Sequence, residues 1–155
     1  MQKYASDEAA RDVARRMRLL QQSFDVFDEA AAARLGVNRT DLRCLDLILA
    51  GGSLSAGELS VAARLSPAAT TSVIDRLERV GYVTRSRDGA NRRRVLVAAT
   101  EAARTAEREV YGPVGEAGRS ALRDYDADQL ALIGEFLETA RRVQEEQTAR
   151  LKGRA

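Results

Sequence analysis

Seven arginines, Arg76, Arg79, Arg85, Arg87, Arg92, Arg93 and Arg94, stand against Glu78 and Asp88 in one short stretch, a local charge of +5 in a chain whose net charge is +2. The remainder of the chain is therefore slightly acidic. A guanidinium is a permanently charged planar fork of N–H donors, so such a cluster is the footprint of a polyanion-binding element. A solvated arginine-rich loop is the plainer alternative. Other chemistries are removed by what is missing. The chain has no His, which excludes Ser-His-Asp and Cys-His nucleophile activation and His-based zinc or iron sites. Cys44, the single cysteine, can form neither an internal disulfide nor a thiolate metal site alone, so a reduced, cytoplasmic setting is expected. Arg43 beside it, with Arg39, could lower its thiol pKa and make an oxidation sensor, but a buried small hydrophobe between Leu42 and Leu45 is the preferred reading. Tyr4, Tyr82, Tyr111 and Tyr125 form no recognisable catalytic set, and neither an enzyme nor a metal or cofactor is expected.

These residues need elements to position them. With 155 residues, 45% hydrophobic and no Trp, the chain suits one domain whose interior is built from Leu, Val, Ile and Ala, or a protomer sharing a second core with a partner. No apolar run approaches the roughly 18 residues of a membrane span, and the N-terminus lacks a signal-peptide core, so a soluble chain is expected. From Asp7 to Leu35, Val13, Met17, Leu20, Phe24, Phe27, Ala31 and Leu35 recur at spacings of three and four, one stripe on a long helix stopped by Gly36-Val37-Asn38. Asn38 or Thr40 can cap a second helix carrying Leu42, Leu45, Ile48 and Leu49 and ending at Gly51-Gly52. Ser55-x-x-Glu58 is a capping box opening a helix with Leu59, Ala62 and Ala63 inward. Ser66-Pro67 reads as an N-cap with proline at N1, so a fourth helix starts at once in a new direction, its inward face Thr70, Val73, Ile74 and Leu77. Two short helices so closely joined are a helix-turn-helix.

After Gly81 the periodicity becomes that of strands. Tyr82–Arg87 and Arg94–Ala98 flank Asp88-Gly89-Ala90-Asn91 and predict a hairpin, which directly behind a helix-turn-helix is a wing. A helix from Thr100 carries Ala103, Ala106, Val110, Val114, Ala117 and Ala121, with an interruption and kink expected at Gly112-Pro113. A last helix, capped by Asp126 or Asp128, carries Leu130, Ile133, Phe136, Leu137, Ala140 and Val143, and the polar stretch from Gln144 is expected to fray. The fold class is all-α with a small β-hairpin wing (α+β): a winged helix-turn-helix lobe plus a helical dimerisation region drawn from both termini. Residues 1–36 form the N-terminal dimerisation helix, 37–100 the lobe and 101–155 the C-terminal dimerisation helices. The terminal stripes offer more apolar face than one small lobe can cover, which calls for a two-fold homodimer.

Val73-Ile74-Asp75-Arg76-Leu77-Glu78-Arg79-Val80-Gly81-Tyr82-Val83, followed by Asp88-Gly-Ala-Asn91-Arg92-Arg93 and by Ala99-Thr100 six residues after Arg93, resembles the recognition-helix and wing motifs of the multiple-antibiotic-resistance regulator (MarR) family of bacterial winged-helix transcription factors. The likeness covers roughly residues 40 to 100 and is looser at the termini. Gly89 replaces the usual wing proline, Thr70 stands where an apolar residue is common, and Asn91 replaces an Asp that usually orients the wing arginine. Asn accepts a guanidinium hydrogen bond without charge assistance, which leaves Arg93 less preorganised. The resemblance implies a dimer on double-stranded DNA, commonly a repressor of a pseudo-palindromic operator. It also implies a small phenolic or otherwise lipophilic effector between lobe and dimerisation helices, with Phe24, Phe27, Leu42 and Leu45 as lining candidates or plain core.

A helix-turn-helix sets the start of its second helix against base edges. Here that is Pro67, Ala68, Ala69, Thr71 and Ser72, small residues suited to thymine methyls or single hydroxyl bonds and unable to make the bidentate arginine–guanine contact. Arg76 and Arg79 follow as phosphate or groove-edge contacts, with a salt bridge from Arg76 to Asp75 or a neighbour as the alternative. Arg92 and Arg93 at the hairpin tip suit a narrow A·T-rich minor groove. Arg85, Arg87 and Arg94 are phosphate contacts or solvated. The competing function is a winged-helix dimer whose arginine-rich wing meets an acidic protein.

Overall fold

The computed structural model describes residues 2–89 and 94–153, with side chains from position 7. The hairpin-tip candidates Arg92 and Arg93, with Asn91, lie outside the described residues. The chain divides into two compact units, one running to Val110 and one starting at Tyr111.

In the first unit, α1 (Gln2–Leu35) stops where Gly36 takes φ 69°, a left-handed conformation that glycine adopts without a Cβ penalty. Asn38 then caps α2 (Arg39–Gly51), its side chain accepting from the Asp41 N–H. The strand β1 (Ser53–Ser55) leads into α3 (Ala56–Ala63), where Ser55 and Glu58 form the expected capping box. Arg64 closes α3 in the left-handed region at φ 56°, and Ser66 caps α4 (Pro67–Arg79) one turn later with Pro67 at its start. The helix-turn-helix is thus built by local chemistry at both ends of its turn. Next come β2 (Val83–Arg87) and β3 (Val95–Ala99), then α5 (Glu101–Ala121). Thr100 joins the last two: its hydroxyl donates to the Gly81 carbonyl at 2.7 Å and accepts from the Ala103 N–H at 3.2 Å.

The sheet is larger than the expected hairpin. β3 pairs antiparallel with β2, Arg85 opposite Val97, and on its other edge with β1, Leu54 opposite Val97, giving the order β1-β3-β2. Three residues are too short for an alternating pattern, which is why β1 escapes a reading by periodicity. Pairing on both edges leaves β3 central and fixes the wing's base to the start of α3.

The core joins Cys44, Leu45 and Ile48 of α2 to Leu59 and Ala63 of α3, Val73, Ile74 and Leu77 of α4, Val83, Val97 and Ala103. Burying a Leu, Ile or Val side chain is worth about 1.5–3 kcal/mol, so this cluster holds the recognition helix in place. Thr70 is buried with them, its hydroxyl satisfied by the Ser66 carbonyl at 3.0 Å, so a polar residue fits a position where an apolar one is common. Ala62, expected inward, is exposed: Leu59 and Ala63, one turn apart, already span the short helix's inner face. Tyr82 ties the sheet to α1 through a hydrogen bond to the Leu35 carbonyl.

Two expectations are corrected toward the carboxyl end. α5 runs as one helix through Pro113 rather than being interrupted there. The missing N–H removes one hydrogen bond from a helix 21 residues long, which its other turns outweigh. In the second unit, α6 (Ala127–Lys152) is capped by Asp126 in a reciprocal bond with Gln129 and continues past Gln144 to Lys152 instead of fraying. Arg141 paired with Glu138 and Glu145 at three- and four-residue spacing supports that polar half. α6 has no buried residue within the single chain. No helix among the described residues is long and apolar enough to cross a membrane.

Candidate nucleic-acid interface

The amino-terminal half of α4 presents its small residues outward. Pro67, Ala68, Thr71 and Ser72 are exposed and Ala69 is half-buried, while Thr70 and Val73 point into the core. The two outward hydroxyls are oriented by their own helix: Thr71 donates to the Pro67 carbonyl at 3.1 Å and Ser72 to the Ala68 carbonyl at 3.1 Å. With those protons turned inward, the face offers methyl groups and hydroxyl lone pairs.

The arginines separate into two sets. Arg76 reaches back to α2, where its Nε and Nη2 bind the two carboxylate oxygens of Asp41 at 2.8 and 2.6 Å. Asp41 is buried, with 3% of its side chain exposed, and Asn38 also donates to it at 2.9 Å. Arg85 is held by Asp75 and Glu78 on α4. Val83, Arg85 and Arg87 alternate onto one face of β2, the face of the buried Val83, so Arg85 lies over the recognition helix rather than pointing freely outward. Arg94 pairs with Glu58 of α3 and, at 3.8 Å, with Asp88. The Ser55 N–H, the Arg94 guanidinium and the Ser55 hydroxyl together hold Glu58 down to a pKa of about 2. This carboxylate stays ionised and keeps one wing arginine tied to the helix-turn-helix. Arg79 and Arg87, by contrast, have no ion pair among the described residues, and neither does Arg64 in the turn before α4. A single arginine between two helices carries no periodic signal, so the sequence pattern does not single out Arg64.

The Asp41–Arg76 bridge was not foreseen with its true partner, although a signal for it exists. Asp41, Leu45 and Ile48 share one face of α2 at spacings of four and three, so the buried stripe contains a carboxylate that must find a cation or strong donors.

The four effector candidates differ in exposure. Leu45 is sealed in the core at 1% exposure, Phe24 is 60% exposed and Phe27 is half-buried. Leu42 borders an open hollow of about 300 Å³ with Asp28, Arg39, Thr40, Arg43 and Asp46, a mostly charged wall. Burial and the neighbouring carboxylates of Asp28 and Glu107 push Asp46 up to about 6. Cys44 is fully buried, and burial raises its thiol pKa more than Arg43 lowers it, the reverse of what a reactive thiolate requires.

Among known proteins, residues 37–95 match the MarR family profile, a span that holds α2 to the start of β3. The uncharacterised HTH-type transcriptional regulator YcgE of Bacillus subtilis (strain 168) is 36% identical over 127 residues, covering 82% of each chain. YusO from Bacillus subtilis superposes with a TM-score of 0.64 at 21% identity, covering 89% of this chain and 96% of its own. MarR from E. coli, in its apo form, gives 0.59 at 21% identity, covering 82% and 95%. The last two likenesses fix the fold, a winged helix-turn-helix. Taken with the helix-turn-helix geometry, the profile and the relative show that this chain belongs to the MarR family, whose members are transcriptional regulators and not enzymes.

Proposed function

We propose that the chain acts as a homodimeric repressor that sets one winged lobe on each half of a pseudo-palindromic DNA site. The observation that carries this reading is the exposed face of α4. Its methyl groups suit thymine C5-methyls, and the lone pairs of Thr71 and Ser72 suit the amino groups of adenine or cytosine. Arg79 at the end of α4 and Arg87 at the end of β2, which have no ion pair among the described residues, are the cations offered to phosphates. Arg92 and Arg93, which follow β2 in sequence, complete the reading as minor-groove contacts of the wing. Arg85 and Arg94, tied to carboxylates of α4 and α3, set the wing against the helix-turn-helix instead.

Assembly rests on the terminal segments. Val13, Met17, Leu20 and Phe24 on α1, and Leu130, Phe136, Leu137 and Val143 on α6, are exposed apolar side chains at helical spacing. A second copy covering them gives residues 1–36 and 101–155 their dimerising role and leaves 37–100 to DNA. Release by a small lipophilic ligand belongs to the same reading, and Phe24 and Phe27 are the two candidates with apolar surface to offer it.

Fluorescence anisotropy with a duplex from upstream of the protein's own gene, and with a shuffled duplex of equal composition, tests this. Tighter binding to the upstream duplex is expected. Arg79→Ala or Arg87→Ala should each lower the salt slope by about one unit, as for one lost phosphate contact. Equal affinity for both duplexes removes sequence recognition, and no binding to either favours an acidic protein partner for the wing.

A further inference from the structure

We infer that Asp41 is a positioning residue for DNA binding, acting through Arg76: the buried carboxylate grips one edge of the guanidinium so that the other edge is held out for a DNA phosphate. The inference rests on the DNA-binding reading above and assigns a role to a residue that itself stays out of reach of DNA. The geometry has three parts. Asn38 caps α2 by accepting the Asp41 N–H at 2.9 Å and also donates from Nδ2 to the Asp41 carboxylate at 2.9 Å, so the carboxylate has a fixed orientation. Arg76 Nε and Nη2 then dock on it side by side. The remaining Nη1 has no acceptor among the described residues, and the Arg76 side chain keeps 40% of its surface. It borders an open groove of about 490 Å³ with Thr40 of α2 and Ala69 and Ser72 of α4, next to the face proposed to meet base edges.

A fork held on one edge loses little conformational freedom when its other edge binds an anion, whereas a free arginine must be ordered at that moment. The clamp also joins the first turn of α2 to the last turn of α4, so the phosphate contact and the recognition helix are registered to one another. Electrostatics alone makes the opposite forecast. Removing the Asp41 charge leaves the lobe one unit more positive and should tighten binding to DNA. The sign of the effect therefore separates positioning from simple charge.

The test uses the full chain, the upstream duplex and the shuffled duplex, at several salt concentrations and at a temperature where circular dichroism shows each variant folded. Arg76→Ala is expected to lower affinity and to reduce the salt slope by about one unit on both duplexes. Asp41→Asn is expected to weaken binding roughly tenfold in spite of the lost negative charge, the scale of one well-made contact. In an Arg76→Ala background the same substitution should weaken binding no further, because its effect runs through the guanidinium. Arg76→Lys, which keeps the charge but cannot dock side by side, covers the case in which Asp41→Asn does not fold, and it should bind as weakly as Arg76→Ala. Tighter or unchanged binding by Asp41→Asn, or wild-type affinity in Arg76→Lys, overturns the inference while leaving DNA binding intact. Wild-type protein that binds neither duplex overturns the DNA-binding reading and this inference together.

Discussion

Leu77 and Leu137 both occupy the apolar stripe of a helix, yet Leu77 is fully buried and Leu137 is 54% exposed. The difference runs through the two regions they belong to. The lobe from α2 to β3 closes its own core, with Leu59, Leu77 and Ile48 at no exposure, whereas α6 buries nothing within the chain. Apolar area removed from water is the main source of stability, so the lobe closes its core by its own contacts, while the terminal helices keep exposed the apolar stripe that the proposed second copy would cover. The contrast also suits a regulator. In the proposed dimer such a self-contained lobe would meet DNA as a unit, and the terminal helices would set the spacing between two of them.

Breaking the sealed side of the comparison should have the largest effect. Leu77→Ala removes a fully buried side chain from the last turn of α4 and should cost about 2–5 kcal/mol, read as a shift in urea unfolding at fixed protein concentration. On the open side, Leu137→Asp places a charge in the stripe proposed to meet a second copy. It should weaken self-association by roughly 100-fold in analytical ultracentrifugation, the equivalent of about 3 kcal/mol. The unfolding of the lobe itself should move by no more than about 0.5 kcal/mol, as for an exposed substitution. If Leu137→Asp destabilised the lobe as much as Leu77→Ala, the two regions would share one core and the contrast would fail.

The smallest effect sharpens the boundary of the sealed core. Asp46 is raised from 3.8 to about 6, so between those values the folded chain keeps a proton that the unfolded chain has released. Stability should therefore fall as pH rises from about 4 to 6, and Asp46→Asn should flatten that slope and raise stability at neutral pH. The carboxyl is partly in solvent, which screens the effect to about 1 kcal/mol or less. Chemical denaturation at pH 4, 5, 6 and 7 measures it; a slope of the opposite sign would show that Asp46 is stabilised as the anion.

The fold was legible where local chemistry decides it. Ser55 with Glu58, Ser66 with Pro67, and Asp126 each announce a helix start, and Thr70, Val73, Ile74 and Leu77 mark the buried face of α4 by spacing alone. What was illegible depends on pairings distant in sequence. β1 acquires strand geometry from β3, more than forty residues away, and Asp41 finds Arg76 across 35 positions. The candidate interface shares that division. Small residues at the start of α4 could be placed outward from the sequence. Which arginines are tied to carboxylates among the described residues could not, because Asp75, Glu78 and Glu58 are brought to Arg85 and Arg94 only by packing α3 and α4 against the sheet.

A dimer that reads DNA with two lobes leaves a two-fold footprint. Footprinting the DNA upstream of the protein's own gene, in the presence of excess competitor duplex, tests it most directly. Two protected half-sites related by a two-fold axis are expected, with centres about 10 base pairs or a multiple of that apart, and two chains bound per site. A single protected stretch occupied by one chain, or protection that vanishes with any competitor, would contradict it.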